Sequence, residues 1–133
     1  VLDSSVALSW CFEDERTAAT LALLDRLVEE GATVPALWPL EVLNGLAMAE
    51  RRRRLDRKAR LKLCGFLQRL PVSVDLEGIS LAWTDTLKLS DRFGLTTYDA
   101  TYLELAQRLQ LPLGTLDEPL RKAAGAAKVA LVG

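Results

Sequence analysis

Short apolar runs alternate along the chain with longer segments in which apolar residues recur every three or four positions, the pattern of strands set between amphipathic helices. Val1-Leu2-Asp3 reads as the end of a strand, with Ser4 or Ser5 placed to cap the helix that follows. From Asp14 to Glu30, Leu21, Leu24, Leu27 and Val28 make one helical stripe, which Gly31 stops. Thr33 to Leu37 predicts a short strand, with Pro35 suited only to its edge or end. Pro39 opens a helix with Leu40, Leu43 and Leu46-Ala47 on one face, running on into a block of arginines. A second basic amphipathic helix spans about Arg57 to Leu70, anchored by Leu61, Cys64, Phe66 and Leu67, and Pro71 ends it.

Val72 to Val74 then reads as a strand, and Leu76 to Phe93 as one helix ended by Gly94. Thr97 caps a helix through Gln110, Leu111 to Leu116 is a strand, Asp117 to Ala127 is helical, and Val129 to Val132 is a final strand. This order predicts an α/β fold, a mostly parallel central sheet with helices on both faces. No repeat or linker interrupts it, so residues 1–133 read as a single domain. Only two residues precede Asp3 in the first strand, so a few further native N-terminal residues are expected.

Composition narrows the class. Residues are 50% hydrophobic and 26% charged, a globular balance. No apolar run approaches the roughly 20 residues of a membrane span and no signal-peptide pattern opens the chain, so the expectation is a cytoplasmic protein without membrane attachment. Cys11 and Cys64 are expected as buried thiols in a reducing compartment rather than as a disulfide. Histidine is absent, which removes Ser-His-Asp and Cys-His catalysis, HExxH metalloproteases and Cys₂His₂ zinc sites. The glycine-rich nucleotide cradles GxGxxG and GxxxxGK[ST] are missing too. Any enzymatic chemistry must come from carboxylates, hydroxyls and basic side chains, with carboxylates as hard oxygen ligands for Mg²⁺ or Mn²⁺ the leading option.

The net charge of −1 hides an asymmetry. Residues 51–62 hold eight of the seventeen Lys/Arg and one of the eighteen acids, leaving the rest of the chain acidic. Arg51, Arg52, Arg53, Arg54, Arg57 and Lys58 are candidate contacts for an RNA backbone, since phosphate neutralisation supplies most non-specific affinity.

In an open parallel sheet, ligands bind beyond the C-terminal ends of the strands. The acids placed there are Asp3 after the first strand, Glu41 in the first turn after the second, Asp99 after the Gly94–Thr97 loop, and Asp117 after the strand 113–116. Each alone has a structural explanation, as a helix cap or a complement to a helix dipole. Together, four acids in one crevice with no basic neighbour in sequence are tolerated only with a cation present or with some members protonated at raised pKa values. Two divalent ions held that way can activate water and stabilise a leaving oxygen in phosphodiester hydrolysis. Ser5, Thr97, Thr115 and Asn44 are candidates to orient waters or carboxylates.

Four stretches carry a resemblance: VLDSSVALSWCFEDE, ALWPLEVLNGLAMAERRRRL, LTTYDATYLELAQRL and LPLGTLDEPLRKAA. In order and over almost the whole chain they resemble the motifs of PIN domains, in particular VapC-type toxins of bacterial toxin–antitoxin pairs. The resemblance implies a PIN-like fold and a metal-dependent endoribonuclease whose acidic quartet binds Mg²⁺ or Mn²⁺. By motif, Asp3 matches the acid ending the first strand, Glu41 that of PLEVxN, Asp99 that of TxYDAxYLxLA, and Asp117 that following PLxT. It further implies a homodimer and a VapB-type antitoxin, whose C-terminal segment would lie in a groove beside the basic helices, with Leu61, Cys64 and Leu67 as a suitable stripe. A receiver domain or a haloacid-type phosphatase would want a second acid close after Asp3, where Ser4-Ser5 stands. The alternative is a non-catalytic module that uses the basic helices to bind RNA or a protein.

Overall fold

The computed structural model describes all of residues 1–133. Helices α1 (Ser4–Cys11) and α2 (Ala18–Glu30) lead into β1 (Ala32–Pro35), followed by α3 (Trp38–Arg51), α4 (Arg57–Gln68) and β2 (Val72–Asp75). Then come α5 (Leu87–Phe93), α6 (Thr97–Leu109) and α7 (Glu118–Ala126). Strands β1 and β2 pair in parallel, from Ala32 opposite Val72 to Pro35 opposite Asp75. Further parallel bridges join Leu2 to Gly114 and Leu113 to Leu131. The fold is the expected α/β arrangement with a parallel sheet, but its strands are shorter than the apolar runs suggested. Around Leu111 to Leu116 and Val129 to Val132 only single bridges form. Pro112 brings no N–H to a ladder, and by Thr115 the chain has turned to side-chain partners.

Helix boundaries follow local chemistry. Thr17 and Thr20 form a reciprocal capping box that starts α2 after a short 3₁₀ turn at Glu13–Glu15, so the predicted helix over 14–30 begins later. Gly31 ends α2 at φ 75°, and a Cβ there would meet the Pro71 carbonyl at 3.2 Å. The arginine block is not continuous helix. Helix α3 stops at Arg51, Arg53 sits at φ 60°, and Asp56 caps α4 through the Ala59 N–H at 2.8 Å.

The single helix expected over 76–93 is also divided, into a 3₁₀ turn (Gly78–Leu81), a π turn (Ala82–Thr86) and α5. Here Asp75 Oδ2 accepts the Gly78 N–H at 2.9 Å and closes the chain into a turn. Leu76, Ile79 and Trp83 are exposed, so their spacing defined no buried face. Both cysteines are free; Cys11 is buried, which pushes its thiol up to about 11, and Cys64 is half-buried. No helix is long and apolar enough to cross a membrane.

Helix α6 is the centre of the core, with Ala100, Tyr102, Leu103, Leu105 and Ala106 buried. Val6, Ala7 and Trp10 of α1, Val42 and Leu46 of α3, and Leu120 and Ala124 of α7 complete the same core. One glycine sets a close approach: a Cβ on Gly45 of α3 would lie 2.6 Å from the Leu8 side chain of α1. That contact draws α1 and α3 together and brings Asp3, before α1, towards Glu41 in the first turn of α3.

Candidate metal centre

Asp3 is buried at the C-terminal end of the first extended segment, where its N–H donates to the Gly114 carbonyl at 2.9 Å. Its Oδ2 accepts from Ser5 Oγ at 2.6 Å and from Thr115 Oγ1 at 2.7 Å, while Ser4 Oγ stands 3.5 Å from Oδ1. Each supporting hydroxyl is anchored in turn. Ser5 Oγ accepts the Leu116 N–H at 3.0 Å and Thr115 Oγ1 accepts the Asp117 N–H at 3.0 Å. The network ties the start of α1 to the start of α7.

Glu41 projects from the first turn of α3 and its Oε1 accepts from the Tyr102 hydroxyl at 2.5 Å. Burial pushes the Glu41 carboxyl above its ordinary value; the Tyr102 hydrogen bond opposes this, and the charges of Asp3 and Asp99 add to it. Asp99, in the first turn of α6, is likewise held up by burial and then by the charges of Asp117 and Asp3, with a Thr96 hydrogen bond opposing. Burial and the Glu41 bond raise the Tyr102 phenol, which keeps it a donor. Asp117 caps α7, its Oδ2 accepting the Leu120 N–H at 2.9 Å.

The four acids, from four different elements, are therefore linked through space: Glu41 feels the charges of Asp3 and Asp99, and Asp99 those of Asp117 and Asp3. None of them forms an ion pair, although seven such pairs occur elsewhere. Arg121, next to this region, directs its guanidinium to the Thr115 carbonyl at 2.9 Å instead. No three of the acids close around a single ion position. Hard divalent ions retain several waters, so each needs only one or two carboxylates. Four carboxylates with hydroxyls beside them, and no sulfur or imidazole, fit Mg²⁺ or Mn²⁺.

The four supporting candidates divide. Ser5 and Thr115 touch Asp3 directly. Asn44 and Thr97 are exposed, and neither side chain makes a hydrogen bond. The α6 cap is Thr96 rather than Thr97: Thr96 is extended and its Oγ1 accepts the Asp99 N–H at 3.1 Å. Sequence reasoning missed Tyr102 and Ser4. The signal for Tyr102 was its place three residues after Asp99, on the same face of a helix.

The basic residues lie farther away. Arg51 to Arg54, Arg57 and Lys58 are exposed, but α3 carries Arg51 about 15 Å along its axis from Glu41. Arg54 pairs with Glu15 at 2.9 Å and Asp14 at 3.2 Å and lies over the Phe12 ring at 4.2 Å. Leu67, from the predicted partner-binding stripe, is buried in the core. A groove of about 910 Å³ lies instead between α1, α2 and α4, with Phe12, Leu21, Leu24 and Phe66 in its wall and Arg16 and Arg69 among its charged residues.

The profile of the PIN domain family matches residues 1–126. No curated protein sequence matches the chain. Among solved structures, the crystal structure of PAE2754 from Pyrobaculum aerophilum is similar in fold, with a TM-score of 0.67 and 24% identity over 92% of this chain and 76% of that one. PIN domains are typically nucleases and usually bind divalent metals. The crossover of parallel segments, the acids gathered at their ends and the profile match over nearly the whole chain lead to one assignment: the chain belongs to the PIN domain family.

Proposed function

We propose that this PIN domain is a Mg²⁺- or Mn²⁺-dependent endoribonuclease that hydrolyses RNA phosphodiester bonds, acting in the cytoplasm as the toxin of a type II toxin–antitoxin pair of the VapC kind. The observation that carries the reading is the set of four acids without a counter-cation, two of them held above their ordinary values by burial and by one another. Such a set is stable as a binding site for a divalent ion and costly otherwise. Asp3, Glu41, Asp99 and Asp117 would hold the metal, which when bound activates water and stabilises the leaving oxygen. The hydroxyls of Ser5 and Thr115 keep Asp3 in place, and α6 delivers Asp99 to the same point.

Exposed Arg51, Arg52, Arg53, Arg57 and Lys58 would track RNA phosphates beyond the cleavage point. The partner is a VapB-type antitoxin. The mixed apolar and basic groove between α1, α2 and α4 suits an amphipathic segment of it, and a basic tail residue would enter the acidic crevice. Exposed Leu40, Ile79 and Trp83 supply apolar surface for a homodimer. Incubation of the purified protein with RNA should give cleavage that requires Mg²⁺ or Mn²⁺ and stops with EDTA. RNA retained but uncut under both conditions would replace this reading with a non-catalytic binding module.

A further inference from the structure

Both innermost carboxylates of the crevice are held in the same manner. Asp3 Oδ2 takes two hydroxyl donors, Ser5 at 2.6 Å and Thr115 at 2.7 Å, and Glu41 Oε1 takes the Tyr102 hydroxyl at 2.5 Å. Thr115 and Tyr102 are themselves buried, so these donors have little freedom to leave. A carboxylate oxygen that takes short, charge-assisted hydrogen bonds, two on Asp3 Oδ2 and one on Glu41 Oε1, is a weaker metal ligand than its free counterpart, because the ion competes with the donors. What remains to each group is its second oxygen: Asp3 Oδ1, which Ser4 Oγ approaches only at a long 3.5 Å, and Glu41 Oε2.

We infer that Tyr102 is a positioning residue for Glu41, and that with Ser5 and Thr115 it restricts the Asp3 and Glu41 carboxylates to one oxygen each for a metal. The inference rests on the metal-dependent reading above and concerns which ions that site accepts. Mg²⁺ and Mn²⁺ take octahedral sets at short distances from single carboxylate oxygens and waters, whereas Ca²⁺ takes six to eight oxygens and commonly both oxygens of a carboxylate. A site whose acids are locked to single oxygens therefore disfavours Ca²⁺, even though its charge suits any divalent ion. The hydroxyls make the distinction that the carboxylates alone cannot.

The test is metal binding, read without RNA. Mn²⁺ affinity is measured from the electron paramagnetic resonance signal of free Mn²⁺, and Ca²⁺ affinity by its competition, on the full chain and on Tyr102→Phe, Thr115→Val and Thr115→Ser. Tyr102→Phe keeps the buried ring and removes only the donor. It should weaken Mn²⁺ by about 10–100-fold, the usual effect of losing a partner behind a metal ligand, while Ca²⁺ weakens less and the preference narrows. Thr115→Val should narrow it too, and Thr115→Ser, which restores the hydroxyl, should recover it. A purely packing role for these residues would move the metal-free melting temperature and leave the Mn²⁺/Ca²⁺ ratio unchanged. The Thr115 pair decides the matter independently if Tyr102→Phe folds poorly. Unmodified protein that binds neither ion removes the proposed function and this inference together. Unmodified protein that holds Mn²⁺, with variants that keep the same preference, overturns the inference alone.

Discussion

Along α6, Asp99 and Tyr102 face the acidic crevice, while Glu104 and Arg108, one to two turns on, reach the end of β2. At that second place Arg108 meets three acids. It donates from Nε to Glu104 at 2.8 Å, from two nitrogens to Asp75 at 2.6 and 3.2 Å, and to Glu77 at 3.3 Å. Arg108 hydrogen bonds hold the Asp75 carboxyl below its ordinary value, despite some desolvation. The other cluster has four acids and no Lys or Arg paired with them, and its Glu41 and Asp99 carboxyls are pushed the opposite way. One helix thus carries a closed joint, where the chain supplies its own counter-charge, and a second cluster of acids to which the chain supplies none. Clustered acids alone identify neither; the presence or absence of the guanidinium does.

A matched pair of substitutions breaks the comparison most sharply. Asp99→Asn should reduce Mn²⁺-dependent RNA cleavage to background while metal-free stability stays level or rises, because a repelling charge is removed. Arg108→Ala should do the reverse. Leaving Glu104 buried without its partner costs about 3 kcal/mol in a denaturant titration, with cleavage per folded molecule preserved. An Asp99→Asn protein that melts lower and still cuts would show Asp99 to be a helix cap only.

The pH dependence sharpens the contrast at smaller amplitude. Raised Glu41 and Asp99 contribute stability that is whole below their ordinary values, 4.5 and 3.8, and is lost as pH rises through the raised ones. Asp75, held below 3.8, contributes stability present above that value and lost as pH falls through the lowered one. In EDTA, melting should therefore rise as pH is lowered from neutral into the carboxylate range, then fall on further acidification. Asp99→Asn should flatten the first limb and leave the second. A first limb of equal slope in both proteins would show that Asp99 does not titrate in the crevice.

The smallest effect is expected at the basic block. Replacing Arg51, Arg52 and Arg53 with Gln should flatten the salt dependence of RNA binding, by about 0.7 in the log–log slope for each phosphate no longer neutralised. Arg54→Gln should flatten it less, since Arg54 is engaged by Asp14 and Glu15. Equal slopes for all variants would mark these arginines as a solvated helix end.

Much of this architecture is legible in the order of residues. The amphipathic stripes locate the helices, and Asp3, Glu41, Asp99 and Asp117 stand out because acids at the ends of parallel strands converge. The same rule applied to Asp75, which also ends a strand, would mislead: its partner Arg108 is thirty-three residues away. The break after Arg51 is hidden because Asp56, the cap of α4, looks like one more charge in a charged block. Tyr102 passes for a core aromatic, which it also is; its hydroxyl has meaning only against Glu41, sixty-one residues earlier.

Residue order alone therefore fixes the inventory and its local arrangement: no histidine, acids at strand-to-helix junctions, a basic block, and helices stopped by caps and glycines. These depend on residue type and near neighbours, and periodicity reports them directly. Which acids come together, which are neutralised by Arg108, and which carboxylate oxygens already accept hydroxyl donors depends on packing in three dimensions. Electrostatic fate is set by what lies within a few ångströms in space, and in this fold those neighbours come from elements up to 112 residues apart.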